Sequence, residues 1–330
     1  MTHEFVTLSA QDQDSAVTCD RGVSLVAAAE RRLHSPDATL LSIDRGSLVA
    51  RCSCWWTGTA RHDGRHVGVI GHYAAADEVS AHALLSRACD LLASSGAATV
   101  VGPMDGTTWR RYRLIVYRGV EPPFFLEPDN PDEWPEHWAR AGFAPLASYT
   151  SAMSDNLDFE DPRTGATLDR LRQVGITIRT LDTPRFDTEL PRIFRLSLTA
   201  FSRNVLYTPI AEAEFLGQYH AVLPHVRPEL VLLAEKEDAL VGFMFAIPDL
   251  LQARRSVPID TVILKTIAVD PAMSGIGLGG ALMDLVQRSA RDLGFRRAIH
   301  ALIHETNVSR TISGRSARTF RRYALFSRQL

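Results

Sequence analysis

Residues 264–280 read LKTIAVDPAMSGIGLGG, and this run leads from an apolar, β-branched segment into a helical pattern. Gly275, Gly277 and Gly279 alternate along it. Because glycine has no Cβ atom, the backbone there can approach a ligand closely. The unpaired N–H groups that open a helix attract a phosphate. The run therefore predicts an anion-binding turn between a strand and a helix.

A dinucleotide-binding fold is the first alternative for this turn. Gly275, Gly277 and Gly280 satisfy the pattern G-x-G-x-x-G, and Glu305 stands at a plausible distance for a ribose contact. In that fold the strand runs almost directly into the first glycine, whereas residues 270–274 intervene here and include a proline. The remaining chain, about 50 residues, is also too short to complete a doubly wound sheet. Both observations disfavour the dinucleotide fold.

Strand and helix patterns recur in the same order on both sides of the middle of the chain. In the first half, we predict strands at 47–56, 66–73 and 99–103, with a helix at 79–95. In the second half, we predict strands at 176–181, 231–236, 239–247, 261–269 and 297–304, with helices at 186–201, 211–222 and 279–293. Alternating strands and helices predict a layered α/β fold.

The region around 155–165 is rich in Asp, Asn, Pro and Gly and follows neither periodicity. We therefore predict two domains, at residues 1–155 and 175–330, joined by a linker at 156–174.

The glycine turn resembles the cofactor motif of the GNAT acetyltransferase superfamily, V-x-P-x-x-R-G-x-G-x-G. The matching residues are Val269, Pro271, Gly275, Gly277 and Gly279, and the order of elements from residue 175 onward is also similar to that of the family. The resemblance implies two GNAT-like domains, each a mixed, mostly antiparallel sheet flanked by helices. The first domain would be degenerate, because residues 74–78 contain no glycine where the turn should fall.

By the same resemblance, acetyl-CoA binds to the second domain, with the pantetheine arm along the strand that precedes the turn. Ser274 stands where the family usually has Arg or Gln, so one cationic phosphate contact is missing. The cofactor residues that the resemblance implies are Ile267, Ala268, Val269, Ser274, Gly275, Ile276, Gly277, Leu278, Gly279, Gly280 and Asn307.

The catalytic and substrate residues are less clearly marked in the sequence. The family's usual general-acid Tyr is absent after Asn307, and Tyr323 is a substitute only if the chain brings it back to the site. His304 and Glu305 are candidate bases, and strand alternation predicts that at most one of them faces the pocket. Asn204 and Tyr207, between two helices, are candidate substrate contacts.

The composition is that of a globular protein, with 45% hydrophobic residues, 22% charged residues and a formal net charge of −2. The net charge near zero disfavours a nucleic-acid partner, and the longest apolar run, near 239–247, is too short to span a bilayer. The four cysteines lack the paired spacing of a zinc site. We therefore expect a cytoplasmic protein without a nucleic-acid, membrane or metal partner. The resemblance predicts transfer of an acetyl group from acetyl-CoA to a primary amine of a small molecule or peptide. Two alternatives stay open, namely a non-catalytic acyl-CoA-binding module and transfer of another acyl group.

Overall fold

The computed structural model describes residues 4–13, 17–158, 160–306 and 317–330. The first half contains β1 (Glu4–Leu8), α1 (Ala28–His34), β2 (Ala38–Asp44), β3 (Ser47–Trp55), β4 (Arg61–His62), β5 (Arg65–Ala75), α2 (Glu78–Ser94), β6 (Thr99–Gly102), β7 (Leu114–Tyr117), α3 (Trp134–Arg140) and β8 (Ala144–Ser154). The second half contains α4 (Thr164–Gln173), β9 (Ile176–Thr180), α5 (Phe186–Phe201), α6 (Glu212–Val222), β10 (Val231–Lys236), β11 (Ala239–Pro248), α7 (Leu250–Arg254), β12 (Thr261–Val269), α8 (Leu278–Asp292), β13 (Arg297–His304) and β14 (Arg318–Gln329). Every predicted strand and helix is confirmed to within two residues.

The strands of both halves form one mixed, mostly antiparallel sheet, which confirms the predicted α/β fold class, although two separate sheets were expected and the two are continuous. The strand order is β1-β2-β3-β5-β6-β14-β8-β13-β12-β11-β10-β9, with β4 beside β5 and β7 beside β14. The β5–β6 and β12–β13 pairs are parallel, and the other named strand pairs are antiparallel. Each half therefore repeats the same pattern, in which a helix connects its two parallel strands.

The halves exchange their final strands. Strand β14 of the second half pairs with β6 of the first half, while β8 of the first half pairs with β13 of the second. The two exchanged strands also pair with each other. Each half therefore completes its sheet with a strand from the other half.

The segment predicted as a linker, residues 156–174, is partly helical. It contains α4, whose Leu171 is buried in the same apolar cluster as Leu282 of α8. Residues 164–173 of the predicted linker therefore form a helix, because apolar residues on α4 have another helix to pack against. The division into two domains stays a prediction.

Helices cover both faces of the sheet. In the first half, Leu84, Leu85 and Leu92 of α2 are fully buried against the sheet. In the second half, α8 packs on one face of the sheet, while α5 and α6 belong to a separate apolar cluster. Burial of each large aliphatic side chain contributes roughly 1.5–3 kcal/mol. Within the described ranges, no helix has the length and apolar character needed to cross a membrane.

The parallel strands of the first half are separated by a loop that fills the gap between them. Strands β5 and β6 pair only over Val67–Val69. Beyond that point the Met104 N–H donates to the Ile70 carbonyl at 2.8 Å, and the His72 N–H donates to Asp105 Oδ1 at 2.5 Å. A Cβ atom on Gly71 would lie 2.1 Å from the Met104 carbonyl oxygen, so the backbones are in close contact.

Gly71→Ala is expected to destabilise the protein by about 3 kcal/mol, the upper end of the range for overpacking, because the Met104 backbone cannot move aside easily. Gly217→Ala is the control, since a Cβ there meets no atom within 4 Å and the residue lies inside α6. This control should stabilise the protein by roughly 0.5–1 kcal/mol. Urea denaturation measures both changes, and equal stabilities for the two variants would contradict the packing described.

Candidate active site in a cleft lined by both halves

A cleft of about 1820 Å³ is lined by residues of both halves of the chain. At one end lie the glycine turn and the second half of β12. At the other end lie first-half residues that include His34, His72 and Asp105. A ligand bound in this cleft would therefore contact both halves.

Strands β12 and β13 separate inside this cleft. Their parallel pairing covers only Thr261–Leu264 of β12, although this strand continues to Val269 and β13 continues to His304. Beyond Leu264, β12 pairs with β11 on its other side, with Ile267 opposite Met244. One edge of the strand at 267–269 has no strand partner among the described residues, so its main-chain groups are available to an extended ligand arm.

A bulge in β13 accounts for the separation. Leu302 has a φ of +59°, which is uncommon for a residue other than glycine, and the register with β8 shifts between His300 and Ile303. The Leu302 N–H donates to Ser151 Oγ at 3.1 Å. The backbone of β13 therefore turns toward the exchanged strand β8 and away from β12.

The glycine turn has the geometry of an anion site. Asp270 Oδ1 accepts the Ala272 N–H at 2.8 Å and caps a single 3₁₀ turn, Pro271–Met273. Gly275 and Gly277 have φ values of +82° and +88°, a conformation that glycine adopts without strain. No side chain caps α8, so the first N–H groups of this helix can donate hydrogen bonds to an anion.

In the first half, the corresponding helix α2 begins differently. The Asp77 carboxylate accepts the Ser80 N–H at 2.8 Å and caps the helix start. A carboxylate at this position repels a phosphate, and the gap between β5 and β6 is filled. The first half therefore offers neither of the two features on which a cofactor would depend.

Most of the predicted cofactor residues lie together at this end of the cleft. Ile276 does not line it, and Asn307 lies outside the described residues. Those that line the cleft are Ile267, Ala268, Val269, Ser274, Gly275, Gly277, Leu278, Gly279 and Gly280.

Gly280→Glu is expected to weaken CoA binding at least tenfold, because it places a negative charge beside the phosphates in the first turn of α8. A Cβ at this position meets no atom within 4 Å, and an acidic residue in a first helical turn does not disfavour the helix. Gly280→Gln adds similar bulk without charge and is the matched control. Calorimetry with CoA should show the larger loss for Gly280→Glu, and equal affinities would refute a phosphate site at this turn.

His304, one of the predicted bases, lines the cleft and is half-buried. Its Nδ1 atom accepts the Thr306 N–H at 3.2 Å, so the neutral ring carries its proton on Nε2. The Nε2 atom is buried and has no hydrogen-bond partner among the described residues. Burial, followed by the Arg113 charge, lowers the pKa of His304. This geometry suits a hydrogen-bond donor better than a base.

The structure does not bring the other two predicted catalytic residues to the cleft. Glu305 is exposed and does not line it, as strand alternation predicts for the neighbour of His304. Tyr323 is buried behind the wall, where it donates to Glu127 and lies 3.0 Å from Ser151 Oγ. Burial, together with the Glu127 charge, raises the pKa of Tyr323. The proposal of Tyr323 as a general acid in contact with substrate is therefore corrected.

Lys265, which we did not predict, lines the cleft at the point where β12 and β13 separate. Its Nζ atom donates to the Leu126 carbonyl at 3.3 Å. Burial, followed by the Arg113 charge, lowers the pKa of Lys265 to about 8. The available sequence signal is that the chain contains only two lysines, and this one interrupts an apolar strand.

Both predicted substrate residues, Asn204 and Tyr207, line the cleft between α5 and α6. The Asn204 carbonyl accepts the Tyr207 N–H at 3.1 Å. Trp109 of the first half packs edge to face on Tyr207, and its Nε1–H donates to the Thr208 carbonyl at 2.9 Å. The loop after α5 is therefore held by a residue from the other half.

Comparisons with known proteins bear on the family and the fold of this chain. The model of the acetyltransferase (GNAT) family matches residues 191–311, which include β12, the glycine turn and α8. A solved tandem GNAT protein from the clavulanic acid biosynthesis pathway, without AcCoA, has a TM-score of 0.51 and 14% identity. That comparison covers 99% of this chain and 98% of the other. At this identity, the likeness shows the fold alone.

Two curated relatives align with only part of their own length. A bacterial ceramide synthase of Caulobacter vibrioides is 24% identical over 192 residues, 58% of this chain. The aligned region spans only about half, 50%, of that protein. Protein YghO of Escherichia coli is 22% identical over 294 residues, which cover 81% of this chain and 75% of that protein.

Proposed function

Because this chain belongs to the GNAT acyltransferases, we propose that it transfers an acetyl group from acetyl-CoA to a primary amine by direct attack on the thioester. The amine nitrogen forms a bond to the thioester carbonyl carbon, and the carbon–sulfur bond breaks. The CoA sulfur leaves and takes up a proton, while the attacking nitrogen loses one. No covalent enzyme intermediate is required.

One observation carries this proposal, namely the separation of β12 from β13 directly before the glycine turn. The free edge at 267–269 can pair with the amide groups of a pantetheine arm, while the start of α8 receives the pyrophosphate. An acyl group attached to that arm would then reach the level of Lys265 and Leu302, where the strands meet. Both reactants would be held in one cleft, which supports a transfer reaction.

We assign the proton acceptor to Lys265. An acceptor amine with an ordinary pKa is mostly protonated at neutral pH and must lose a proton before attack. With a pKa of about 8, Lys265 is partly neutral near physiological pH and can take that proton. His304 Nε2 can donate a hydrogen bond to the thioester oxygen or to the leaving sulfur.

Transfer of a longer acyl group is a second candidate, and the size of the cleft favours it. The residues that line the cleft include the apolar side chains of Phe201, Val205, Val222, Met244 and Phe245. The relative named bacterial ceramide synthase supports testing this candidate.

The test is CoA thiol release from acetyl-, octanoyl- and palmitoyl-CoA with a panel of primary amines, with each acylated product identified by mass spectrometry. The proposal requires amine-dependent CoA release with at least one donor. Binding of CoA without amine-dependent release would favour a non-catalytic acyl-CoA-binding module instead.

The pH dependence tests Lys265. A lowered lysine pKa means that the neutral base predominates above about 8, so kcat/KM should rise with pH and level off near that value. Lys265→Met should lower kcat roughly 100-fold, the lower end for general-base catalysis, and should remove the inflection near pH 8. An unchanged pH profile in this variant would assign the inflection to the acceptor amine.

Lys236 provides the control, because it is the other lysine of the chain and does not line the cleft. Lys236→Met should leave the pH profile unchanged. The pH dependence of amine labelling with an amine-reactive reagent, followed at each lysine by mass spectrometry, measures the pKa of Lys265 directly, without any turnover.

A further inference from the structure

Arg113 carries a buried positive charge into the cleft from the first half of the chain. It lies directly before β7, with a φ of +70°, and its N–H donates to the Pro103 carbonyl at 2.8 Å. The residue is 7% exposed, and it lines the cleft together with Leu302 and His304.

The guanidinium has little of the compensation that a buried charge normally finds. Its NH1 atom donates to the Leu302 carbonyl at 3.3 Å, and its Nε atom is buried without a hydrogen-bond partner. Within the described ranges, no carboxylate forms an ion pair with it. Buried charges are usually paired, because removal from water is costly. An anion from outside the chain would complete the site.

Two aromatic rings fix the plane of this guanidinium. Its Cζ atom lies 3.8 Å from the centre of the Tyr112 ring and 4.0 Å from that of Tyr149. Cation–π contacts stabilise the charge but use none of its N–H donors. A guanidinium held in this way presents its donors in one plane, the geometry that matches a carboxylate.

The charge of Arg113 also reaches the reaction centre. It contributes, after burial, to the lowered pKa values of both Lys265 and His304. Its hydrogen bond to Leu302 places it at the bulge where β13 leaves β12. An anion beside Arg113 would therefore lie near the bulge where we place the attacking amine.

We propose that the acceptor is an amine that also carries a carboxylate, and that Arg113 binds this carboxylate and determines specificity. The inference rests on the proposed acyl transfer. It adds that the first half of the chain supplies the substrate-selecting charge, although its own cofactor position is filled. Amines without a carboxylate would leave the Arg113 guanidinium without an anionic partner and would be poorer acceptors.

Binding of product-like probes tests this without turnover. N-acetylglycine should bind the full chain at least tenfold more tightly in calorimetry than N-acetylglycinamide, which has the same shape without the charge. Bound N-acetylglycine should also raise the pKa of Lys265, measured by labelling, because it brings a negative charge beside a nearby cation. Equal affinity for the two probes would overturn the proposal.

Three variants separate charge recognition from structure. Arg113→Gln should reduce the preference for N-acetylglycine about 10- to 100-fold, the range expected for loss of a charge-assisted hydrogen bond. Arg113→Lys should retain part of this preference, because the charge remains while the planar fork is lost. Arg322→Gln removes an exposed charge that does not line the cleft, and should keep the preference intact.

Turnover distinguishes failure of this inference from failure of the proposed function. Phenylalanine and phenethylamine differ by one carboxylate, and the wild-type chain should prefer phenylalanine. Arg113→Gln should lower kcat/KM more for phenylalanine than for phenethylamine, because the charge beside Lys265 and His304 is lost for both amines, whereas only phenylalanine also loses the partner of its carboxylate. CoA release that is equally fast with both amines would overturn the Arg113 assignment and leave acyl transfer standing. Equal losses with both amines in Arg113→Gln would likewise exclude carboxylate recognition and give Arg113 a role in the chemical step.

Discussion

The pairing of β8 with β14 is the contact on which the rest of the molecule depends. It runs from Arg318 opposite Met153 to Ser327 opposite Ala144, nearly the full length of both strands. Each of these strands also completes the sheet of the other half. A buried ion pair between Arg321 of β14 and Glu127, at 2.9 Å, ties the loop after β7 to the same place. The cleft exists because this pairing brings the ends of both halves together.

The two halves share an architecture but use it differently. In the second half the gap between parallel strands is open and leads to a glycine-rich helix start. In the first half, the Met104 backbone and the Asp105 carboxylate fill that gap, and Asp77 caps the helix that follows. Because the first half has no cofactor to hold, its residues near the filled gap can serve the other half instead. Arg113, Trp109 and Tyr149 of the first half all line the cleft of the second.

Local signals predicted the elements well but not their partners. The strand, turn and helix at 261–293 could be predicted because β-branched residues, positive-φ glycines and an apolar helix stripe each leave a mark in the sequence. The exchange of β8 and β14 could not, because strand pairing across about 170 residues has no local signature. The site residues divide in the same way, into those with a local sequence signature and those that only long-range packing brings together. Glycines 275–280 would act through their own backbone, whereas Lys265 and Arg113 become important only because the fold brings them into one cleft.

The strand exchange also sets an order for folding on the ribosome. Strand β6 cannot gain its partner β14 until residues 318–329 have been synthesised, although β6 itself is complete by residue 102. At 5–20 residues per second, the roughly 215 intervening residues take about 10–45 s to translate. During that time the nascent first half has an unpaired strand edge, the kind of surface that attracts other chains. Chaperone contact with the emerging polypeptide would therefore fall on the half that was made first.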